Sequence, residues 1–257
     1  MSEETNDDAG LSPIGLQDSP REAATRTSYD AIAETYTGWI ADELTAKPHD
    51  RAVLGAFSEL VLATGDSQTL EIGCGPGRIT AFLAALGLTP TGLDLSPAMI
   101  ALATRHYPAF DFVTGTMTAL PYGDDSFSGL LAWYSIIHVP DESLHTVFAE
   151  AARVLRPGGL FQLAFQLGDR VDHQSEAAGF DVDLDFHRRS IDQVLTVLDE
   201  HGFAPVTRLE REPDQAGQFP ETTRQGYLLA RLDRASNPPR PRPGIVQRPK
   251  SDKMVVL

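Results

Sequence analysis

The chain has 257 residues, 42% hydrophobic and 22% charged, with a formal net charge of −15. That composition supports a sizeable core, and so acidic a surface repels phosphate backbones, which argues against DNA or RNA as a general substrate. No apolar run approaches the ~18 residues of a membrane span, the acidic start Met1–Asp8 is unlike a signal peptide, and the single cysteine, Cys74, excludes an internal disulfide, so a cytoplasmic protein without membrane attachment is expected.

In chain order, residues 1–22 hold six acidic residues against one arginine, among Ser, Pro and Gly, and read as a disordered leader. A folded domain is expected over 23–235. In Ala23–Thr45, Tyr29, Ile32, Ala33, Tyr36 and Ile40 recur near helical spacing and predict one or two helices. Pro48–Ala63 presents a second helical face through Val53, Leu54, Phe57, Leu60 and Val61. Thr69–Ile72 is a short apolar strand stopping at Gly73, followed by a helix over Arg78–Leu86. Strand Thr91–Asp94 leads to helix Pro97–His106, with Ser96 as cap and Pro97 in the first turn. Strands follow at Phe110–Thr114 and Phe127–Tyr134. Helix Glu142–Leu155 ends at the turn Arg156–Gly159, and Leu160–Phe165 is the fifth strand. Gln166–Arg189 reads as a charged loop insertion, Ser190–His201 as a capped helix, and Val206–Arg211 and Tyr227–Leu232 as the last strands. Residues 236–257, with Pro238, Pro239, Pro241, Pro243 and Pro249, read as a disordered basic tail.

Strands separated by helices imply parallel pairing through crossovers. The last two strands lack a clear helix between them and suit an antiparallel edge pair. The expected fold is therefore α/β, doubly wound and Rossmann-like, with a mostly parallel seven-stranded sheet. A ligand belongs beyond the C-terminal strand ends, among the loops after residues 72, 94, 114 and 134.

The strongest local signal is Leu70–Thr80, where a strand enters a helix through Gly73, Gly75 and Gly77. Without Cβ atoms these residues permit a sharp turn and close ligand approach. The amides at the helix start favour a phosphate or a carboxylate. A tight turn without a ligand would have the same glycines. Asp94, 21 residues after Gly73 at the end of the next strand, adds a carboxylate suited to both ribose hydroxyls. The dinucleotide fingerprint wants glycine at the sixth position, where Arg78 stands.

With Glu71 ahead of the loop, Glu71–Gly77 resembles the first motif of class I S-adenosylmethionine-dependent methyltransferases. Gly92–Met99, Gly115–Tyr122 and Arg153–Gly159 resemble the family's following motifs in order. The subgroup resembled comprises small-molecule enzymes of the ubiquinone/menaquinone type and relatives in bacterial secondary metabolism. The resemblance implies S-adenosyl-L-methionine as cofactor. It places Gly73, Gly75 and Gly77, with Glu71 and Cys74 in the same segment, along the methionine portion. Asp94 then holds the ribose, and Leu95, Met99, Thr116 and Met117 border the adenine. Many members carry an acid at position 116 or 117; Thr116 and Met117 offer only a hydroxyl and a thioether. Tyr29–Tyr36 resembles the family's Tyr-Asp-x-x-Ala-x-x-Tyr segment, which implies an N-terminal helical lid with both tyrosines over the cofactor.

Trp133, Tyr134 and His138 follow the fourth strand, where the resemblance puts the loop between cofactor and acceptor. Trp133 is a candidate wall of the cofactor site. His138 is a candidate general base, its ordinary pKa being near neutrality; the competing role is packing beneath the loop or capping the next helix. His173, His187 and His201 show no metal spacing, and no metal is expected. The implied function is methyl transfer to O, N or C of a small organic acceptor, its specificity held in Gln166–Arg189 and the first helices. A non-enzymatic binder of the same cofactor, or an enzyme using it for a non-methylating reaction, remains the alternative. The sequence carries no signal of oligomeric state.

Overall fold

The computed structural model describes residues 19–233. The leader up to residue 18 and the tail from 234 lie outside the described residues. Helix α1 (Pro20–Ile40) opens with a capping box: Glu22 N donates to Ser19 Oγ and Ser19 N donates to the Glu22 carboxylate. Pro20 sits in the first turn, where its missing N–H costs nothing. The leader as read therefore ends too late; Pro20–Glu22 belong to the helix. A short α2 (Glu43–Ala46) and α3 (Pro48–Leu62) follow.

The remaining elements are β1 (Gln68–Ile72), α4 (Arg78–Ala85), β2 (Thr89–Asp94), α5 (Pro97–His106), β3 (Asp111–Thr114), β4 (Phe127–Trp133) and a single 3-10 turn at Ile136–His138. Then come α6 (Asp141–Val154), β5 (Leu155–Gln166), β6 (Val171–Ala177), β7 (Phe180–His187), α7 (Ile191–Glu200), β8 (Phe203–Arg211) and β9 (Gln225–Leu232). The main sheet has seven strands in the order β3-β2-β1-β4-β5-β9-β8. β3, β2, β1, β4 and β5 run parallel, and β9 is antiparallel to both its neighbours. The strand order reverses between β1 and β4, opening the crevice expected of a doubly wound sheet.

Each side of the sheet buries its own apolar layer. Leu70, Ile72, Leu130, Ala132, Phe161 and Leu163 pack with Phe148 of α6 and Val194 of α7. On the other side Leu131, Trp133, Leu160 and Ala164 pack on Leu54, Phe57 and Val61 of α3. β4 is buried at every residue, which is why it reads as a continuous apolar run and not as an alternation.

Two expectations change. The Arg156–Gly159 turn lies inside β5 as an irregularity, pairing jumping from Phe127↔Leu155 to Gly129↔Leu160, with Gly158 at φ +79°. The Gln166–Arg189 insertion is not a loop. β6 and β7 form an antiparallel hairpin across Ala178 and Gly179, both at positive φ, the turn whose twist suits a two-residue hairpin. Phe180, Val182, Leu184 and Phe186 alternate with acids, and buried Val182 and Leu184 pack on Ile32 of α1. The hairpin thereby braces α1 over the strand ends.

Candidate functional site

One pocket opens beyond the C-terminal ends of β1, β2, β3 and β4, roofed by α1. Its floor is the turn after β1. Gly73 N and Cys74 N both donate to Leu93 O, at 2.7 and 3.0 Å, binding that turn to β2. Gly73, Gly75 and Gly77 take φ of +76°, +54° and +83°. A Cβ at Gly73 would meet Ser135 Cβ at 2.3 Å, and one at Gly77 would meet Phe112 Cζ at 2.7 Å, whereas Gly75 faces open space. Gly73 and Gly75 line the pocket. Gly77 begins α4 and packs against Phe112 and Ala103.

Asp94 sits where β2 ends. Its Oδ2 accepts from Gly75 N at 2.7 Å and its Oδ1 from Ser96 N at 2.9 Å. A carboxylate offers about four lone-pair sites, so each oxygen can accept one further hydrogen bond. Burial raises the Asp94 pKa against these N–H donors, an opposition that a ligand's hydroxyls would ease. The pairing Asp94↔Thr114 puts the Thr116–Met117 segment beside it. Leu95, Met99, Thr116 and Met117 line the same wall.

Glu71 and Cys74 do not line the pocket. Glu71 is buried beneath the turn, accepting from Thr80 Oγ1 at 2.5 Å. Its burial pushes the carboxyl pKa up to about 8, with the Thr80 bond opposing. Cys74 is buried and free, and burial pushes its thiol well above the ordinary value, so it is a packing residue and not a nucleophile.

Beyond β4, Tyr134 takes a left-handed φ of +54°, and Ser135 Oγ then donates to Ile72 O at 2.6 Å. Trp133, Tyr134, Ser135 and His138 reach the pocket from this turn. His138 Nδ1 lies 2.9 Å from the Asp185 carbonyl oxygen, which can only accept, so Nδ1 carries the proton. Nε2 then accepts from the Tyr29 hydroxyl at 2.8 Å. Burial lowers the His138 pKa to about 4. The near-neutral base expected from sequence is therefore a neutral imidazole with both nitrogens engaged. Tyr29 and Tyr36 meet edge to face, ring centroids 5.5 Å apart, and both line the pocket.

The structure brings in residues that sequence reasoning left out. Glu22, assigned to the leader, lines the pocket and accepts from Thr116 Oγ1 and, at 2.9 Å, from Thr118 Oγ1. The pattern Ser19-Pro20-Arg21-Glu22 is itself a capping-box signature and marked a helix start. Ser143, from the start of α6, is a second residue missed. His173 also departs from expectation, because the hairpin brings it 2.8 Å from Asp185 and 3.9 Å from Asp183. Arg21 already bonds both carboxylates at 2.5 Å, which offsets one of their two charges and occupies an oxygen of each.

A family model described as a methyltransferase domain matches residues 69–159, the stretch holding the turn, Asp94 and Met117. The demethylmenaquinone methyltransferase of Tropheryma whipplei (strain Twist) is 32% identical over 106 residues, covering 40% of this chain and 44% of that protein. Methyltransferase GfsG of Streptomyces halstedii is 33% identical over 126 residues, covering 46% of this chain and 44% of that one. The chain spans less than half the length of these two curated relatives. Among solved structures, magnesium protoporphyrin IX methyltransferase from Synechocystis with bound S-adenosylmethionine superposes with TM-score 0.63 at 14% identity, covering 85% of this chain and 100% of that one. The 1,6-didemethyltoxoflavin-N1-methyltransferase of Burkholderia thailandensis, with bound 1,6-didemethyltoxoflavin and S-adenosylhomocysteine, gives 0.59 at 22%, covering 85% and 92%. At these identities the likeness is one of fold.

Proposed function

We propose, for a chain that carries a methyltransferase domain over residues 69–159 on the class I fold, that it transfers a methyl group from S-adenosylmethionine to O, N or C of a small organic acceptor. The observation that carries this reading is the open Gly75 backbone beside Asp94, with an accepting site left on each carboxylate oxygen. When bound, the cofactor supplies an activated methyl on a sulfonium centre. The chain's own work is to bind, align and keep water out. Asp94 accepts the ribose hydroxyls, Leu95, Met99 and Met117 offer apolar surface to the base, and Gly73 and Gly75 let the amino-acid portion approach the backbone. The Tyr29 and Tyr36 rings close over it from α1, and Trp133 walls the far side. Holding reactants in line can supply ~7–11 kcal/mol of a barrier.

His138 acts in this reading by positioning Tyr29. The phenol donates to Nε2 and its oxygen keeps accepting capacity for a ligand donor. A base of pKa about 4 gives little driving force for taking a proton near pH 7. The acidic composition suits a neutral or cationic acceptor better than an anionic one and argues against nucleic acid as a general substrate. Among the described residues no helix is long and apolar enough to cross a membrane. A cytoplasmic location is part of this reading, in keeping with a cysteine, Cys74, that is free.

Calorimetric titration with S-adenosylmethionine tests the reading. Asp94→Ala is expected to weaken binding by about 2–3 kcal/mol, the worth of hydrogen bonds to a charged group. No binding to the unaltered protein would sink it. In the same series His138→Ala should weaken S-adenosylhomocysteine binding by releasing Tyr29; unchanged affinity with a lower kcat would restore the general base. A +CH2 product in cell extract separates methyl transfer from simple binding and from other reactions on the same cofactor.

A further inference from the structure

Glu22 is the acidic group that the Thr116–Met117 segment lacks. It comes from the first turn of α1, 94 residues away along the chain. Its Oε1 accepts from Thr116 Oγ1 and Thr118 Oγ1, and its Oε2 accepts from Ser19 N at 2.9 Å. Three of about four accepting sites are thus taken, and the fourth, on Oε2, faces only the rotatable Ser19 hydroxyl, which a ligand donor can displace. Burial works to raise the Glu22 pKa, but the bonds from Thr116, Ser19 and Thr118 outweigh it and hold the carboxyl below its ordinary value. The start of a helix favours the same charge. A carboxylate held below its ordinary pKa, with one site met by no fixed donor, therefore lines the pocket on its β3 side.

Its place follows from the rest of the wall. Asp94 takes the sugar, and Leu95 and Met99 beyond it are apolar, as a flat base requires. Thr116 and Met117 continue β3 next to the Asp94 strand, so Glu22, bonded to Thr116, stands where the base would present its edge. The described groups gathered there from β3 and α1 are hydroxyls and this carboxylate, with Arg26 one helical turn further on.

We propose that Glu22 reads the edge of the bound purine, accepting a hydrogen bond from an exocyclic amine, so that adenosine is distinguished from inosine by the lid helix and not by the sheet. The proposal rests on the S-adenosyl reading given above. It also makes the docking of α1 part of base recognition, since Thr116 and Thr118 bind the same carboxylate when the base is absent.

The test is calorimetry with S-adenosylhomocysteine and S-inosylhomocysteine on the full chain and on Glu22→Gln. Glutamine at this position preserves the capping box, so the helix start is retained. The unaltered protein should bind the adenosyl ligand on the order of tenfold or more tighter than the inosyl one. Glu22→Gln should bring the two within about threefold, because its amide can donate to the inosine carbonyl. A variant that weakens both ligands equally, or keeps the original preference, overturns the proposal and reduces Glu22 to a helix cap. No preference in the unaltered protein overturns it as well. No binding of either ligand to the unaltered protein removes the cofactor reading and this one with it.

Discussion

Gly73 and Gly75 share a left-handed φ for different reasons. At Gly73 the missing side chain makes room for Ser135; at Gly75 it leaves room for something the chain itself does not supply. Substitution should separate the two. Gly73→Ala forces a 2.3 Å contact and a disfavoured φ, and is expected to cost several kcal/mol of stability, on the order of 3 or more. Gly75→Ala carries only the backbone penalty, about 1–2 kcal/mol, yet should abolish cofactor binding by filling the approach. Urea unfolding and calorimetry on both variants check this, and equal stability losses would refute it. These glycines were legible because loop, spacing and neighbouring strand lie within one short stretch. The surroundings of His138 were not legible: Tyr29 and Asp185 lie 109 and 47 residues away, and burial, which the sequence does not reveal residue by residue, decides its basicity.

At the scale of elements, α1 is held from two sides. Arg21 and Ser28 bond the β7 strand, through the Asp183 and Asp185 carboxylates and Asp183 N. Asp30 Oδ1 accepts from Ser96 Oγ at 2.5 Å and Ala98 N at 3.1 Å, so α1 adds a second cap to α5. The Arg21 pairs are substantially exposed and contribute little. Asp30 is therefore the stronger latch. Asp30→Ala should cost about 1–2 kcal/mol and accelerate amide exchange across residues 20–40, while Asp30→Asn, which still accepts, should leave exchange near normal. Equal protection in Asp30→Ala would show that packing alone holds the lid. The helices were readable from their apolar period, and the parallel strands from short apolar runs bounded by turn residues. The β6–β7 hairpin was overlooked although Phe180, Val182, Leu184 and Phe186 keep a period of two, because the charges between them imitate a solvated loop. The position of β9 between β5 and β8 had no local signal, since strand order is a property of the assembled sheet.

For the whole molecule, the buried Glu71 makes stability depend on pH in an unusual direction. Its carboxyl ionises at about 8 when folded, against an ordinary value of 4.5. Below that ordinary value both states hold the proton and nothing is lost. Between about 4.5 and 8 the unfolded chain releases a proton that the folded chain keeps, so the Glu71 contribution falls as pH rises. Glu71→Gln keeps an acceptor for Thr80 and removes the titration. Urea midpoints of ligand-free protein at pH 5 and pH 8 should therefore drop more in the unaltered protein than in the variant. An equal drop in both would mean that Glu71 titrates normally.

The strand order also sets a timetable. β5 is made well before β9, yet β9 is the strand that pairs with its free side, from Leu160↔Arg231 to Gln166↔Gln225. β8 emerges between them and, among the described residues, has no partner in the sheet except β9. During synthesis two open edges must therefore wait for residues 225–232, and such edges invite pairing with other chains. The cofactor-facing half, β1 to β4, is complete before that wait begins. A nascent chain stalled short of Gln225 would hold a nearly finished binding crevice on a sheet still able to recruit its neighbours.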